Sequence, residues 1–363
     1  MRSRYEHLLF PVAAASLLMA ACDGTSEPTG PVGEAGSATT AAAVTAAAVP
    51  TTPNTWGARA AIEPNGNFYG FTAGAAKNAA GQWLVYAFGG GTDDGGANWP
   101  VRAYNVATNT WTQKQTRVAL SIRWNGVGVI GKTMYYTGGW TWDEPGAQFG
   151  NKLWAYDFTT DKQVTLANLP RYTADGVTGV YQGKILYVLP GTCSGEGWPF
   201  AGYCANEPFH RLYRYDPATN KWGTRRQSLY FHRGGAGAFV DSKFYVVGGG
   251  DSISTTNTWR LESYDPTTDH WTAHASMPSG GTTINECISG TPCLFAQVLG
   301  QQFWVLTRDH RLLRYDTATN KWTTKAKLPA ATVPQDMVRV AIGAQAYLFV
   351  IGAGASPSQL YRP

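Results

Sequence analysis

The feature that most constrains this chain is an eight-residue stretch that recurs along it. Its clearest copy is Tyr-Asp-Pro-Ala-Thr-Asn-Lys-Trp at 215–222. Further copies stand at 104–111, 156–163, 264–271 and 315–322, and the second of these ends in Gln rather than Trp. Asp-Pro followed by Thr and Asn is typical of a tight turn, and the aromatic residues at both ends suit flanking strands. The octet therefore predicts a series of β-hairpins.

The two ends of the chain carry halves of a sixth octet. Asn54-Thr55-Trp56 matches its second half, and Leu360-Tyr361-Arg362-Pro363 matches its first half. The spacing of the octets, about 50 residues, is that of a repeated four-stranded sheet. We therefore expect six sheets in a ring, in which the N-terminal strand completes the last sheet and closes the ring.

A second repeated feature precedes each octet, namely a short apolar strand that ends in glycine. Clear copies are 84–90, 134–139 and 244–249, and weaker ones are 186–191, 303–307 and 348–352. A strand ending in Gly-Gly, then Tyr-Asp and Trp at this period, resembles the Kelch repeat over about residues 51–363. The resemblance implies an all-β fold: a six-bladed β-propeller of Kelch type, each blade a four-stranded antiparallel sheet.

The N-terminal region is typical of an exported lipoprotein. Residues 1–22 combine Arg2 and Arg4 with an apolar core and a small-residue end, as signal peptides do. The last five of these residues resemble a bacterial lipobox, so we expect Cys22 to be lipidated and to anchor the chain to the membrane of the cell envelope, on a periplasmic or surface face. A simple secretory signal is the alternative. Residues 23–50 are rich in Ala, Thr, Gly and Pro and predict a disordered tether.

The cysteines fit the same compartment. The chain has five Cys, an odd number for an exported protein. Without Cys22, two close pairs remain, Cys193 with Cys204 and Cys287 with Cys293. Disulfides within these pairs are expected in an oxidising compartment. Zinc binding is the alternative, but the spacings differ from those of zinc fingers.

Composition and charge exclude several classes of function. Only 15% of the residues are charged, the net charge is +5, and no run of Lys or Arg occurs. We therefore expect no nucleic-acid partner. No phosphate loop, nucleophile elbow or zinc-protease motif is present, and we predict neither a metal nor a cofactor.

Loop lengths divide the predicted ring into two faces. The octet turns and the turns before the glycine strands are short and share one end, whereas the connections after the glycine strands and between blades are long and share the other. Binding residues usually lie on long loops of a rigid scaffold. Our candidates for ligand binding on that face are Arg123, Trp124, Trp140, Trp142, Asp175, Trp198, His232 and Arg233.

Three of these candidates share one position in the repeat. Arg123, Asp175 and Arg233 each lie 12 residues before the tyrosine of their glycine strand. They should stand at the start of the innermost strands, near the mouth of the central channel, with Arg171 and Arg339 in the same connections. Convergent guanidinium groups would favour an anionic ligand. Pairing of each Arg with a carboxylate of a blade or with backbone carbonyls is the alternative.

Aromatic rings beside charged groups suit sugars, whose C–H faces stack on the rings. The sequence therefore predicts a binding module for a glycan or a protein partner. The alternative is an enzyme similar to bacterial N-acetylneuraminate epimerases, a sugar epimerase or mutarotase that needs an acid, a base and an anion clamp. Arg123 and Arg233 would form that clamp. A structural role in an envelope assembly is the third interpretation.

Overall fold

The computed structural model describes residues 49–63, 68–91, 99–118, 126–139, 150–191, 210–250, 259–280 and 294–363. The predicted signal, Cys22 and most of the predicted tether lie outside the described residues. Every secondary-structure element within them is a β-strand. No helix in the described ranges is long and apolar enough to cross a membrane. Val49 packs against the core cluster between blades 1 and 6.

The strands form six four-stranded antiparallel sheets, the blades. Blade 1 consists of β2 (Tyr69–Lys77), β3 (Trp83–Gly91), β4 (Trp99–Asn105) and β5 (Thr110–Val118). Blade 2 consists of β6 (Gly126–Ile130), β7 (Thr133–Thr137), β8 (Leu153–Asp157) and β9 (Lys162–Leu166). Blade 3 consists of β10 (Val177–Tyr181), β11 (Ile185–Leu189), β12 (Arg211–Asp216) and β13 (Lys221–Gln227).

The C-terminal half of the chain supplies the other three blades. Blade 4 consists of β14 (Ala236–Val240), β15 (Lys243–Val247), β16 (Leu261–Asp265) and β17 (His270–His274). Blade 5 consists of β18 (Leu294–Leu299), β19 (Gln302–Thr307), β20 (Leu312–Asp316) and β21 (Lys321–Thr324). Blade 6 consists of β22 (Pro334–Ile342), β23 (Gln345–Gly352), β24 (Ser358–Arg362) and the N-terminal strand β1 (Thr55–Arg59).

The blades form a closed ring. The first strand of each blade is innermost and contacts the first strand of the next blade, and β22 of blade 6 contacts β2 of blade 1. Strand β1 pairs antiparallel with β24, so that Trp56 lies opposite Tyr361. The predicted six-bladed propeller and its closure by the N-terminal strand are both confirmed.

The octet turns fasten each blade to the one before it. The sixth octet residue has a φ angle between 52° and 58° in all six blades, a left-handed conformation that Asn and Asp tolerate better than most residues. Asn320 in blade 5 accepts hydrogen bonds from the hydroxyl of Tyr315 at 2.7 Å and from the backbone N–H of Ala275, at the end of blade 4, at 2.8 Å. The equivalent residues in the other blades are Asn54, Asn109, Asp161, Asn220 and Asp269.

The octet tryptophan makes a second contact between neighbouring blades. In five blades its ring packs on the octet tyrosine, with ring centroids 4.8–5.2 Å apart. Its indole N–H donates to a backbone carbonyl of the preceding blade. Blade 2 has Gln163 at this position, and its Oε1 atom is buried without a hydrogen-bond partner in the described part of the chain. Blade 2 therefore lacks the tryptophan hydrogen bond to the preceding blade, blade 1.

The octet turn of blade 5 provides a test of this arrangement. We expect Asn320→Ala to lower the free energy of unfolding by about 3 kcal/mol, because it leaves two donors without an acceptor and places Ala in a left-handed conformation. Asn320→Gly removes the same hydrogen bonds without the conformational penalty and should cost less. Urea unfolding followed by tryptophan fluorescence measures both. Equal losses for the two variants would contradict the left-handed conformation at Asn320.

The strand order defines the two ends of the ring. In each antiparallel blade the turns between first and second strands, and between third and fourth strands, lie at one end, which we call the short-turn face. The connections between second and third strands, and those between blades, lie at the other end, which we call the long-loop face. Each innermost strand starts at the long-loop face and ends at the short-turn face.

Glycines let the innermost strands approach the next blade. A Cβ atom on Gly128 of β6 would lie 2.5 Å from the side chain of Leu186 in blade 3. A Cβ atom on Gly179 of β10 would lie 2.6 Å from Phe244 in blade 4. Glycine is required at these two positions because any larger residue would push neighbouring blades apart and widen the channel.

Candidate functional site

Three of the eight predicted ligand-binding residues fall in the described part of the long-loop face. Asp175, His232 and Arg233 lie within the described ranges. The candidates Arg123, Trp124, Trp140, Trp142 and Trp198 lie outside them, as do Cys193, Cys204, Cys287 and Cys293 of the expected disulfides. The roles of those residues stay predictions.

The central channel opens at the long-loop face through a cavity of about 170 Å³. All six innermost strands contribute to its wall. Two charged side chains line it, Asp175 from the start of blade 3 and Asp336 from the start of blade 6. Because blades 3 and 6 are opposite each other in a six-membered ring, the cavity brings together two carboxyl groups from opposite sides of the channel.

Asp175 stands two residues before β10, where its backbone has a left-handed φ of 55°. The guanidinium of Arg233, three residues before β14, donates from Nε to the Asp175 carboxylate at 3.4 Å. Both side chains are largely buried. Burial raises the pKa of Asp175 to about 6, although the charge and hydrogen bond of Arg233 oppose the shift. Arg233 is thus engaged by a carboxylate of the neighbouring blade, which is the second of the two arrangements that the sequence left open.

Asp336 lies on β22 and was not among the sequence candidates. Its carboxylate accepts the backbone N–H of Met337 at 2.7 Å and, across the blade boundary, the backbone N–H of Ala73 at 2.6 Å. Burial raises the pKa of Asp336 to about 7, and these hydrogen bonds reduce the shift. A carboxylate next to the apolar residues of a strand is a signal that the sequence offered, because such a group needs a specific reason to be buried.

The two raised pKa values make stability depend on pH. Both carboxyl groups ionise at a higher pH in the folded chain than at the ordinary value of 3.8. Their contribution to stability is therefore fully present below about pH 4 and is lost as the pH rises towards about 7. In the wild type, ionisation of Asp336 should lower the free energy of unfolding by roughly 2–4 kcal/mol between pH 5 and pH 8. We expect Asp336→Asn to lack this decrease.

Denaturant unfolding of the wild type and the variant at several pH values measures this difference directly. Asp265→Asn is a matched control, because Asp265 lies in an octet turn where the Thr267 side chain and backbone N–H lower its pKa. The control variant should keep the wild-type pH dependence between pH 5 and pH 8. A wild-type slope in Asp336→Asn would show that Asp336 is already ionised at pH 5.

His232 has a different environment from its neighbour Arg233. It is buried, and its Nε2 atom lies 2.8 Å from a carboxylate oxygen of Glu262, which is also buried. Its Nδ1 atom lies 2.7 Å from the carbonyl oxygen of Gly248. The second oxygen of Glu262 accepts the backbone N–H of Leu229 at 2.9 Å. Both ring nitrogens of His232 therefore face protein acceptors, and the pair holds the connection before β14 against blade 4.

The rim of the long-loop face carries paired aromatic and cationic side chains. The guanidinium of Arg260 lies 4.3 Å from the ring centre of Tyr230, and that of Arg311 lies 5.6 Å from the ring centre of Trp259. Trp259 has a φ of 51°, which is rare for a bulky residue and typical of functional or strained sites. On the same face, Leu229 is 52% exposed. The rim therefore combines planar cations, rings and an exposed apolar side chain.

Two of the remaining sequence expectations involve charged groups elsewhere. Arg171 is buried in the connection between β9 and β10. Arg339 was expected in a connection on the long-loop face, and that expectation is wrong, because it lies in the middle of β22. Strand β22 is longer than most of the innermost strands and carries Arg339 further down the channel. Across the described ranges, no three His, Cys, Asp or Glu side chains lie close enough together to hold a metal ion.

Six four-stranded blades form a closed ring, and octet residues of each blade contact the preceding blade. This arrangement defines a Kelch-type β-propeller, and residues 233–278, which include most of blade 4, match the Kelch motif. It is similar to Kelch-like protein 23 of Homo sapiens, with 26% identity over 256 residues that cover 68% of this chain and 40% of that protein.

Another curated relative is Kelch-like protein terF of Aspergillus terreus, 28% identical over 182 residues that cover 45% of this chain and 38% of that protein. The chain thus spans about two fifths of the length of these relatives. Among solved structures, the fold is similar to that of YjhT, with a TM-score of 0.58 and 16% identity over 83% of this chain and 95% of that chain. At this identity the likeness concerns the fold alone.

Proposed function

We propose that the protein is a binding module that holds a glycan or protein partner on its long-loop face. The observation that carries the proposal is the arrangement of that face. A polar channel mouth with Asp175 and Asp336 lies on the same face as a rim where the guanidinium groups of Arg260 and Arg311 lie over aromatic rings. Aromatic and Arg side chains are the residues that dominate binding surfaces.

The size of the channel mouth favours a partner that lies on the face rather than one enclosed within it. Ligand-enclosing pockets usually measure about 300–1,000 Å³, whereas the described cavity measures about 170 Å³. It accommodates one functional group of a larger partner, such as a hydroxyl or an amine that hydrogen-bonds to Asp336. The remaining contacts would come from the rim, where the pairs Arg260 with Tyr230 and Arg311 with Trp259 present guanidinium and aromatic groups to a partner.

A binding screen tests this proposal. The mature chain is applied to an array of acidic and neutral glycans, and in parallel is cross-linked to envelope proteins. The partner found is then tested against Trp259→Ala and Arg311→Ala on the long-loop face, and against Lys321→Ala in an octet turn on the short-turn face. We expect the first two variants to weaken binding by at least about tenfold and the third to leave it unchanged. Loss of binding in the third variant alone would assign the partner to the opposite face.

The placement of the module follows from the N-terminal sequence. We propose that lipidated Cys22 and a flexible tether hold the propeller at the bacterial cell envelope. Labelled palmitate should be incorporated into the wild-type chain in cells and not into Cys22→Ser. Release of the wild-type protein from membranes by salt alone would contradict a lipid anchor.

The second candidate function is a sugar epimerase or mutarotase, and one observation favours it. The carboxyl groups of Asp175 and Asp336 have pKa values of about 6 and 7, which suits general acid–base catalysis near neutral pH. If this reading holds, the protein accelerates anomer interconversion of N-acetylneuraminate in an NMR assay, and Asp336→Asn slows it by about 100-fold or more. An Arg123→Ala, Arg233→Ala variant with an unchanged thermal shift on sugar addition would remove the anion clamp.

A further inference from the structure

A second cavity occupies the other end of the channel. It measures about 720 Å³ and opens at the short-turn face. It shares Ala73, Val127 and Thr178 with the cavity at the long-loop end, so the two are successive parts of one channel. Its volume lies in the range of pockets that hold small molecules, about 300–1,000 Å³.

The charged side chains that line this cavity are all cationic. They are Lys77 at the end of β2, Lys132 in the turn after β6, and Arg339 on β22. All three are exposed to solvent in the channel. By contrast, the charged residues that line the long-loop end are the two carboxylates. The described channel therefore has an acidic end and a basic end, and a low-dielectric wall between them strengthens the field of each.

The position of Arg339 shows that its charge is specific to one blade. It lies opposite Leu348 in blade 6, four residues before the glycine position of the second strand. Around the ring, the residues at the same register position are Ala75, Val129, Val180, Phe239 and Val298. All of these also line the cavity. A ring of five apolar residues and one guanidinium forms a surface with an apolar wall and one fixed cation.

Two carboxylates in octet turns of the short-turn face are engaged within those turns. Asp157 accepts the backbone N–H groups of Thr159 and Thr160, and Asp316 accepts those of Ala318 and Thr319. Neither lines the cavity. The charged side chains that line this end of the described channel are Lys77, Lys132 and Arg339.

We propose that the short-turn end of the channel binds an anionic monosaccharide, whose carboxylate or phosphate group is held by Arg339 with Lys132 and Lys77. A guanidinium matches either group through two parallel hydrogen bonds, and the lysines add positive charge. Val180, Phe239 and the other apolar residues of the ring contact the body of the sugar. This site lies on the opposite face from the partner surface proposed above and does not depend on it.

Isothermal titration calorimetry on the full chain at low salt tests the proposal. The probes are glucuronate, N-acetylneuraminate and glucose 6-phosphate, with neutral glucose as the reference ligand. We expect saturable binding of at least one anion, none of glucose, and weaker binding at higher ionic strength. The ratio between the carboxylate and phosphate sugars shows which anionic group the site accepts.

Arg339→Val is the decisive variant, because it restores an apolar residue of the kind that the other five blades carry and should fold normally. We expect it to weaken anion binding by at least about tenfold. Lys132→Gln should weaken it as well, whereas Lys321→Gln, outside the cavity on the same face, should not. Undiminished binding in both Arg339→Val and Lys132→Gln, or no saturable binding of any anion, would overturn the proposal.

Discussion

Deletion of residues 49–59 is expected to lower the free energy of unfolding by at least about 5 kcal/mol and the melting temperature by at least about 10 °C. The deletion removes β1, the outer strand of blade 6. It takes away Trp56, whose ring packs on Tyr361 and whose indole N–H bonds to the carbonyl of Ala326 in the connection after blade 5. It also removes Asn54, the acceptor for both the Tyr361 hydroxyl and the Ala326 N–H.

The loss is large because one short segment supplies the hydrogen bonds and ring contacts between blades 5 and 6. In the other blades, the equivalent contacts come from a continuous octet turn. The matched control deletes an equal number of residues, 33–43, from the predicted tether and should leave the melting temperature unchanged. Calorimetry of the two proteins gives the comparison. Similar melting temperatures for both deletions would show that β1 contributes little to the ring.

Glu262→Ala is expected to cost about 3–5 kcal/mol, the second largest effect of a single change. The reason is that Glu262 and His232 are fully buried against each other, at 2.8 Å between Nε2 and the carboxylate. Removal of the carboxylate leaves the imidazole facing only the Gly248 carbonyl and leaves the Leu229 N–H without its acceptor. Chemical denaturation at neutral pH measures the loss.

Two further variants separate the buried pair from charge effects in general. Replacing both partners, as in His232→Leu with Glu262→Leu, removes the polar groups together and should cost less than the single change. Lys243→Ala breaks an exposed pair with Asp265, at 3.9 Å, and should cost less than about 1 kcal/mol. A Glu262→Ala variant as stable as Lys243→Ala would contradict a buried, mutually dependent pair.

The fold was predictable because the residues that connect neighbouring blades lie close together in the sequence. The Tyr, the left-handed Asn or Asp and the Trp of one octet, for example Tyr315, Asn320 and Trp322, lie within eight residues of each other, so the repeat is visible directly. The split octet at the two termini predicted the closure of the ring for the same reason. Gln163 departs from the repeat in the sequence, and in the structure the tryptophan hydrogen bond to the preceding blade is absent at this position.

The residues of the channel were less predictable because their partners are distant in sequence. The carboxylate of Asp336 accepts a hydrogen bond from the backbone N–H of Ala73, 263 residues away. No local sequence pattern predicts such a pair. Arg339 was misplaced because β22 is longer than most innermost strands, so a count from the glycine strand placed it in a connection. Glu262 occupies an octet-strand position where Leu313 stands in blade 5, and only the fold shows that His232 lies within reach.

The central claim is that six blades are closed into one ring by pairing of the N-terminal strand with the C-terminal strand, since this fixes both faces and both ends of the channel. Amide hydrogen exchange on the full chain tests it most directly. In peptides that cover Thr55–Arg59, the amides that bond to β24 should exchange about as slowly as those of Ser358–Arg362, because the two strands protect each other. Exchange of 55–59 within seconds, while β23 stays protected, would contradict the closed ring.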